Sequence, residues 1–389
     1  MYYNILFNNI FILMLIIYYI LILALRFIHN ENIVTLNLDY SNNKYSLDLH
    51  FKKEEKTFKG YINTYLPYSV FSEGHFSDKM LPSRKIKNNI LRLINNHDAI
   101  HYQSDTNIER YSFNNFSLYF SIDDLKYYGD QGLGFAFKYE DDSFSFVHHL
   151  YHNKIIEHLQ FTIHTHQEKE RALLYIGGIP NNKEKDYKYK AAIDINENSN
   201  LWGFQLSQVK FNDIVYPFHS FSFIHTSFNE IFWSNDLYDL FVNSILKEEI
   251  KNKNCFVKDV EIVFKWVECK EDFEALNKTI EIQLGNILLK TKLVDLFDHE
   301  IARWRTLVKT NPFDSFKTSN VIGIDFLKLF NMTTFDYGNK KVVLYSARPI
   351  IFEVINMNKS VIIILYIVII VICLCELVIM VLGKMINKS

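Results

Sequence analysis

The sequence is poor in the residues that make flexible linkers, and it carries almost no net charge. Its 389 residues include 12 glycines and 6 prolines, which argues against long disordered segments. A formal net charge of −2 gives no indication of a nucleic-acid partner or of a basic surface that attracts anionic membranes. The sequence also lacks a phosphate loop, a dinucleotide-binding fingerprint and a nucleophile elbow. We therefore expect no cofactor.

Cysteine is scarce as well, with four residues in the protein. Two of them, Cys373 and Cys375, lie within an apolar run near the C-terminus, where we expect apolar fillers or acylation sites. The other two, Cys255 and Cys269, lie in the more polar part of the sequence. They can form one disulfide in an oxidising compartment, and a pair of free thiols is the open alternative.

An apolar run near the C-terminus predicts a membrane span. Residues 361–382 are long enough as a helix to cross roughly 30 Å of hydrocarbon, and they contain one charged residue, Glu376. Lys384 and Lys388 follow in the short tail 383–389, which the positive-inside rule places in the cytosol. This predicts a single-pass type I membrane protein whose ectodomain is lumenal or extracellular.

A shorter apolar run lies near the N-terminus, at residues 10–25. Its length is close to that of a signal-peptide core. However, no Lys or Arg precedes it, and no cleavage site with small residues follows it. Residues 1–25 are therefore predicted to be either a signal peptide or an uncleaved signal anchor.

Four glycosylation sequons lie in the predicted ectodomain, which agrees with this topology. They begin at Asn115, Asn277, Asn331 and Asn358. Because the sequence is rich in Asn, such triplets also arise by chance, so the support is weak.

The region between the two apolar runs has the pattern of a mainly β protein. Hydrophobic residues make up 49% of the sequence, enough for a large core. Residues 45–51 alternate apolar and polar side chains, as expected of half-buried strands. Similar runs occur at 116–121, 173–176, 204–211, 261–266 and 279–289. Helical patterns are limited to 85–95 and 234–249, which predicts a large, mostly antiparallel β ectodomain.

Five glycine- or tryptophan-containing segments, taken in order, resemble the pepsin-like aspartic proteases over about residues 36–346. They are GDQGLG at 129–134, LLYIGGIP at 173–180, LWGFQLSQVKFNDI at 201–214, VIGIDFLKLF at 321–330 and TFDYGNKKVVLY at 334–345. The resemblance implies a bilobal β fold with a cleft between lobes. On this basis we assign an N-terminal lobe (26–190), a C-terminal lobe (191–347) and a stalk (348–360).

The resemblance also implies one catalytic Asp in a D-T/S-G turn of each lobe, and this sequence departs from that pattern. Asn63 and His225 stand at the two Asp positions, and Thr64 and Thr226 follow them as in the family. An Asn amide does not titrate, whereas a histidine with an ordinary pKa of about 6.5 can act as a base alone. We therefore expect no catalytic pair.

Bulky residues flank both turns, since Tyr65 and Phe228 stand beside the space that a substrate backbone would use. Tyr102 is the nearest candidate for the tyrosine of the family's flap, although no glycine accompanies it. A different carboxylate remains an alternative. Asp194 lies in a superficially similar segment, but it precedes Trp202, whereas the family's second Asp follows the corresponding tryptophan segment.

A local group of histidines is a candidate metal site. It consists of His148, His149, His152, His164 and His166. No cysteine lies nearby, and alternating histidines on a strand are more often surface residues than zinc ligands, so we expect no metal.

Three functions remain open at this point. The favoured hypothesis is a membrane-tethered pseudo-protease that holds a peptide or protein partner in the cleft between its lobes. The alternatives are an active aspartic-type endopeptidase that uses atypical groups and a structural or adhesive surface protein.

Overall fold

The computed structural model describes residues 33–41, 44–51, 56–66, 69–72, 85–92, 98–121, 132–137, 145–165, 171–180, 183–260, 264–300, 303–311 and 318–353. The predicted leader 1–25, the span 361–382, the tail 383–389 and most of the stalk 348–360 lie outside these residues. Within them, no helix has the length and apolarity needed to cross a bilayer.

Strands dominate the described residues. They are β1 Val34–Ser41, β2 Lys44–Phe51, β3 Lys56–Asn63, β4 Val70–Ser72, β5 Lys85–Arg92, β6 Asp98–Ile108, β7 Tyr111–Ser121, β8 Leu133–Gly134, β9 Gln160–Thr165, β10 Arg171–Ile176, β11 Tyr189–Asp194, β12 Gly203–Phe211, β13 Ile214–Ile224, β14 Ile231–Trp233, β15 Cys255–Val260, β16 Phe264–Lys270, β17 Thr279–Leu284, β18 Ile287–Lys292, β19 Phe297–Glu300, β20 Arg303–Thr306, β21 Val308–Thr310, β22 Asn320–Ile322, β23 Met332–Asp336, β24 Lys341–Ser346 and β25 Ile351–Glu353.

The helices are short. They are α1 Phe146–His152, α2 Asn235–Leu240, α3 Lys247–Lys251 and α4 Ile324–Leu327, with a π turn at Phe241–Ile245 and 3-10 turns at Glu184–Asp186, Glu274–Asn277 and Leu293–Leu296. The protein is therefore mainly β, as the alternating sequence pattern predicts.

Strands from both halves of the protein share one central sheet. Its order runs β11, β24, β23, β9, β10, β1, and each neighbouring pair is antiparallel. Alternate residues of these strands, such as Leu36, Ile163 and Leu344, are buried, because successive side chains of a strand point to opposite faces. A first group of strands, β2 to β8, belongs to this same sheet, whereas a second group, β12 to β22, forms two further sheets together with β25.

The same local arrangement occurs once in each group. In the first, β3 runs parallel to β8, with Ile62 opposite Leu133. In the second, β13 runs parallel to β22, with Ile224 opposite Ile322. Both β3 and β13 end in a tight turn, and these two turns carry the candidate site.

One of the two predicted helical segments is helical in the structure, and the other is not. The segment 234–249 is helical, since α2, the π turn and most of α3 cover it. The prediction for 85–95 is wrong, because Lys85–Arg92 forms strand β5 and pairs with β6. Pairing with a neighbouring strand outweighs the weak helical periodicity of such a short run.

Cys255 and Cys269 are joined by a disulfide with an S–S distance of 2.02 Å. They are buried and lie directly opposite each other on the antiparallel strands β15 and β16. The bridge therefore links two neighbouring strands of the four-stranded sheet in the second half of the protein.

Candidate functional site at the two threonine turns

The turns that follow β3 and β13 are joined by four hydrogen bonds. Thr64 donates its hydroxyl to the carbonyl of Ile224 at 2.9 Å. Thr226 donates its hydroxyl to the carbonyl of Ile62 at 2.6 Å. The backbone N–H of each threonine also donates to the hydroxyl of the other, at 3.2 and 3.1 Å. Because both threonines are buried, the two turns form one symmetric unit, and the residues preceding them occupy equivalent places.

A glycine adjoins each of the parallel strands β8 and β22 and packs closely on the backbone near a turn. A Cβ atom at Gly132, where φ is +135°, would lie 2.5 Å from the carbonyl oxygen of Tyr61 in β3. A Cβ atom at Gly323 would lie 2.2 Å from the carbonyl oxygen of Glu230, which precedes β14. These are contacts with backbone atoms, which cannot move aside as the end of a flexible side chain does. Only glycine therefore fits at either position without displacing the neighbouring backbone.

Asn63, the first of the predicted site residues, is fully buried at the end of β3. Its side-chain oxygen accepts hydrogen bonds from the backbone N–H groups of Tyr65 at 2.9 Å and Leu66 at 3.1 Å. An amide oxygen in this position holds the turn closed in the manner of an Asx turn. Asn63 therefore shapes the turn and brings no titratable proton.

His225, the second predicted site residue, is also buried, with 4% of its surface exposed. Its Nδ1 atom accepts a hydrogen bond from the backbone N–H of Ser227 at 3.4 Å. Burial, and secondarily the positive charge of Lys44, lowers the pKa of His225 to about 3. The imidazole is therefore neutral at any pH near 7.

Aromatic side chains cover His225. The Tyr65 ring stacks on the imidazole with a centroid distance of 4.8 Å and an angle of 8° between the planes. The Phe228 ring contacts the imidazole at a centroid distance of 4.5 Å, with the two planes tilted by 58°. Both rings belong to an apolar cluster separate from the main core, formed by Phe223, Phe232 and Val321 with half-buried Tyr65, Leu201, Phe221 and Phe228 around them. The rings of Tyr65 and Phe228 thus occupy space directly beside the two turns.

A polar cluster near the site provides a second link between the two halves of the protein. The Tyr40 hydroxyl donates to the side-chain oxygen of Asn229 at 2.8 Å. The Lys328 ammonium donates to the Tyr40 hydroxyl and to Asp325, each at 2.9 Å. Burial raises the pKa of Asp325, and the adjacent Lys328 opposes that rise. Asn229, which follows Phe228, is therefore held against Tyr40 of β1.

Lys44 is a residue of this site that sequence reasoning missed. It is the first residue of β2 and is 6% exposed, and its ammonium lies 4.9 Å from the centre of the Tyr61 ring. Burial lowers its pKa to about 8. The pairing of β2 with β3 begins at Ser46 and Tyr61, so Lys44 lies two residues before the first paired position. The β alternation at 45–51 contains this signal, but only once the partner strand is known.

Tyr102, the candidate flap tyrosine, lies within strand β6 opposite Lys85 of β5. These two strands form a hairpin that closes between Arg92 and Asp98, and its tip lies outside the described residues. Tyr102 is therefore on one arm of a hairpin rather than at its tip, and its role in closing over a ligand stays a prediction.

The histidines considered as metal ligands do not form one site in the described part of the protein. His148, His149 and His152 lie on α1, whereas His164 lies on β9. His164 contacts two tyrosine hydroxyls, that of Tyr187 at 2.7 Å and that of Tyr175 at 3.3 Å. No group of three or more His, Cys, Asp or Glu residues in the described ranges is arranged to hold a metal ion. His166 lies outside them.

The chemistry available at the two turns follows from these side chains. Hydrolysis by a pair of carboxyl groups needs one ionised group as base and one protonated group as acid. The two positions instead carry an amide and a neutral imidazole under an aromatic ring. The site thus offers hydrogen bonds, aromatic surface and the charge of Lys44.

Comparison with known proteins identifies the fold. No family model and no curated protein matches the sequence. Among solved structures, an aspartic proteinase from Irpex lacteus is similar, with a TM-score of 0.62 and 11% identity over 81% of this protein and 97% of that one. Basic 7S globulin from soybean is similar, with a TM-score of 0.62 and 12% identity over 82% of this protein and 95% of that one. The protein therefore has the pepsin-like aspartic protease fold.

Proposed function

We propose that this protein is a membrane-tethered pseudo-protease that binds a peptide or protein partner between its two lobes without cutting it. The observation that carries the proposal is the pairing of a buried Asn63 with a buried, neutral His225 at the two joined turns. The resemblance of fold implies a cleft between the lobes at this place, and the side chains there suit binding rather than the activation of water.

Two further observations support binding without hydrolysis. Tyr65 lies flat on His225 and so covers the place where a water molecule would sit between two carboxylates. The polar cluster around Tyr40 and Lys328, together with the threonine turns, keeps the two halves of the protein rigidly aligned. A rigid, preformed site lowers the entropy cost of binding an extended ligand. The tether rests on residues 361–382, whose apolar length fits a bilayer.

The decisive experiment is a cleavage assay. We expect the full-length protein, purified in detergent, to leave an unfolded protein substrate intact at every pH between 3 and 7. Cleavage that is abolished by His225→Ala would instead establish the alternative, an endopeptidase with atypical groups. Extraction of the expressed protein from membranes by carbonate tests the tether separately, since a spanning helix resists that treatment.

We predict that restoring both carboxyl groups does not by itself restore hydrolysis. The variant Asn63→Asp with His225→Asp should remain inactive in the same assay, because the Tyr65 ring still covers the site. Adding Tyr65→Gly opens that space and returns the turn to the family's D-T-G pattern, so weak cleavage is expected. The matched control carries Asn63→Asp and Tyr65→Gly with His225→Asn and should be inactive. Activity of the double variant alone would show that Tyr65 does not block the site.

Two of the glycosylation sequons differ in how accessible they are in the structure. Asn277 and Thr279 are exposed, at the end of a 3-10 turn and the start of β17. Asn331 is half-buried, its side-chain oxygen accepts the backbone N–H of Ala347 at 2.8 Å, and Thr333 is buried in β23. We therefore predict a glycan on Asn277 and none on Asn331 in protein secreted or displayed by eukaryotic cells.

Peptide mass spectrometry before and after enzymatic deglycosylation measures this directly. Asn277→Gln should remove one glycan from the folded protein, whereas Asn331→Gln should leave the glycan mass unchanged. An unmodified Asn277 would contradict the lumenal or extracellular placement of the ectodomain.

A further inference from the structure

Strand β15 forms an open edge of the four-stranded sheet in the second half of the protein. It pairs with β16 on one side and with no strand of the described residues on the other. Residues 256–259 are all exposed, so both faces of the strand are open to solvent. Phe256 is 46% exposed and Val257 is 39% exposed. An open edge that also presents apolar side chains is able to pair with a further strand.

Two other strand edges of the protein are protected against such pairing. On the opposite edge of the same sheet, β19 carries the acidic residues Asp298 and Glu300, and charges on an edge strand oppose pairing. In β13, the part that precedes the contact with β22 contains Pro217, which has no N–H to donate. β15 has no proline, and its two charged residues are of opposite sign.

The hydrogen bonds of the β15–β16 ladder show which backbone groups point to the open edge. The N–H of Lys270 donates to the carbonyl of Asn254 at 2.8 Å, which marks these two residues as a hydrogen-bonded pair. Hydrogen-bonded and non-hydrogen-bonded pairs alternate along an antiparallel ladder, so Cys255, Val257 and Asp259 belong to non-hydrogen-bonded pairs. The N–H and carbonyl groups of these three residues therefore point away from β16.

A second bond agrees with this orientation. Lys265 lies opposite Asp259, and its N–H donates at 2.8 Å to the hydroxyl of Thr310, away from β15. The Cα atoms of the two disulfide-bonded cysteines are 4.0 Å apart, close to the roughly 4.5 Å of a non-hydrogen-bonded pair. The outward groups of β15 are therefore arranged symmetrically about their central residue, Val257.

We propose that β15 pairs antiparallel with β15 of a second copy of this protein, about a twofold axis at Val257. In this register Val257 lies opposite Val257 of the second copy, and Cys255 lies opposite Asp259. The outward groups of both strands then form three hydrogen-bonded pairs, which contain about six N–H···O bonds. On one face, Phe256 of each copy lies opposite Lys258 of the other, whose aliphatic stem can cover the ring. This inference goes beyond the proposed function, because it concerns a surface other than the cleft.

A second copy fits this edge better than a flexible peptide does. The symmetry about Val257 makes the strand complementary to itself. The ammonium of Lys258 lies 3.9 Å from the carboxylate of Glu268. The carboxylate of Asp259 lies 3.5 Å from the ammonium of Lys265, so pairing brings no uncompensated charge from either copy. The disulfide and the ladder hold β15 extended in both copies, whereas a flexible peptide would lose conformational entropy on binding. Because the contact is short, we expect a weak, concentration-dependent dimer.

Cysteine crosslinking tests the pairing and its register together. Residue 256 of one copy should lie opposite residue 258 of the other in a non-hydrogen-bonded pair, with Cα atoms about 4.5 Å apart, which suits a disulfide. Full-length Phe256→Cys and Lys258→Cys proteins are mixed in detergent under a mild oxidant, and linked peptides are identified by mass spectrometry. The mixture should give at least about tenfold more of the 256–258 link than either variant gives of a link to itself, because identical residues lie diagonally, about 7–8 Å apart.

Substitutions at Val257 assign the link to main-chain pairing. Edge strands tolerate proline where the N–H faces outward, so Val257→Pro should fold. Added to both cysteine variants, it should lower the yield about tenfold or more, as expected for the loss of two main-chain hydrogen bonds. Val257→Thr keeps the N–H and should leave the yield unchanged. A mixture of Phe256→Cys with Ile214→Cys, which is exposed on a different hairpin, measures random collision.

The remaining outcomes overturn the proposal. A yield no greater than that of the Ile214 mixture would mean that β15 binds no second copy, which leaves an extended peptide as its occupant. Equal linking in each variant alone, or a link that survives Val257→Pro, would mean that the copies meet in another register or at another surface. If guanidinium unfolding shows that Val257→Pro does not fold, the yields of the two mixtures and the single variants decide the question. The cleavage assay is independent of all these results.

Discussion

Replacing Thr226 with valine is expected to lower the free energy of unfolding by about 3 kcal/mol. Its hydroxyl donates to the Ile62 carbonyl and accepts the N–H of Thr64, and valine leaves both of these buried groups without that partner. Each buried polar group left unsatisfied costs roughly 1–3 kcal/mol. Thr64→Val should cost a similar amount, because Thr64 makes the mirror-image pair of bonds with Ile224 and Thr226.

The double variant distinguishes a joined unit from two independent turns. If the loss of one hydroxyl lets the two turns move apart, the bonds made by the other threonine are weakened as well, so removing both should cost less than the sum of the single effects, with a coupling of about 0.5–3 kcal/mol. Guanidinium unfolding of the full-length protein, followed by tryptophan fluorescence, measures these differences.

Thr333→Val is the matched control for this measurement. Thr333 is as buried as Thr226, but its hydroxyl has no partner among the described residues, so valine should be neutral or stabilising there. Equal losses for Thr226→Val and Thr333→Val would mean that the joined turns contribute nothing beyond ordinary burial.

The threonine turns can be located from the sequence because their signals are local. A strand, a short polar turn and a following apolar run recur in order, and the glycine at 323 marks the required close approach of backbone. Even with Asn63 and His225 in place of Asp, Thr64 and Thr226 indicate the register. In the structure the hydrogen bonds of these two threonines join the turns.

Other features depend on contacts between distant segments and escape prediction. The stacking of Tyr65 on His225 joins residues 160 positions apart, and no periodicity in either segment shows it. Lys44 has the pattern of an ordinary residue at a strand end until its contact with the Tyr61 ring of β3 is known. The prediction for 85–95 fails for the same reason, since its state is decided by β6 rather than by its own pattern. Short-range patterns therefore indicate the fold, and long-range pairing decides the chemistry of the site.

The second large effect concerns pH, and it arises from His225. In the unfolded state this histidine has an ordinary pKa of about 6.5, whereas burial in the native state lowers its pKa to about 3. Between these values the unfolded protein binds a proton that the native protein does not bind. Above pH 6.5 the protonation of His225 therefore takes nothing from the free energy of unfolding. Below pH 6.5 it lowers the free energy of unfolding by up to roughly 1.4 kcal/mol for each pH unit.

The variant His225→Phe should flatten this dependence, because a phenyl ring fills the space under Tyr65 without titrating. Comparing guanidinium unfolding at pH 7 and pH 4.5, we expect the wild type to lose about 2 kcal/mol more than the variant. His219→Phe, at an exposed position on β13, the strand that precedes His225, serves as the control and should retain the wild-type pH dependence. Equal pH dependence in all three proteins would mean that the pKa of His225 is not lowered in the native state.

This pH dependence bears directly on function. Acid weakens the native state through His225, so the site itself favours conditions near neutrality. In the same range Lys44 remains protonated, because its pKa of about 8 lies above it. Stability of the joined turns and protonation of Lys44 therefore coincide between about pH 6.5 and 8, and this is the range in which we expect the proposed binding to be strongest.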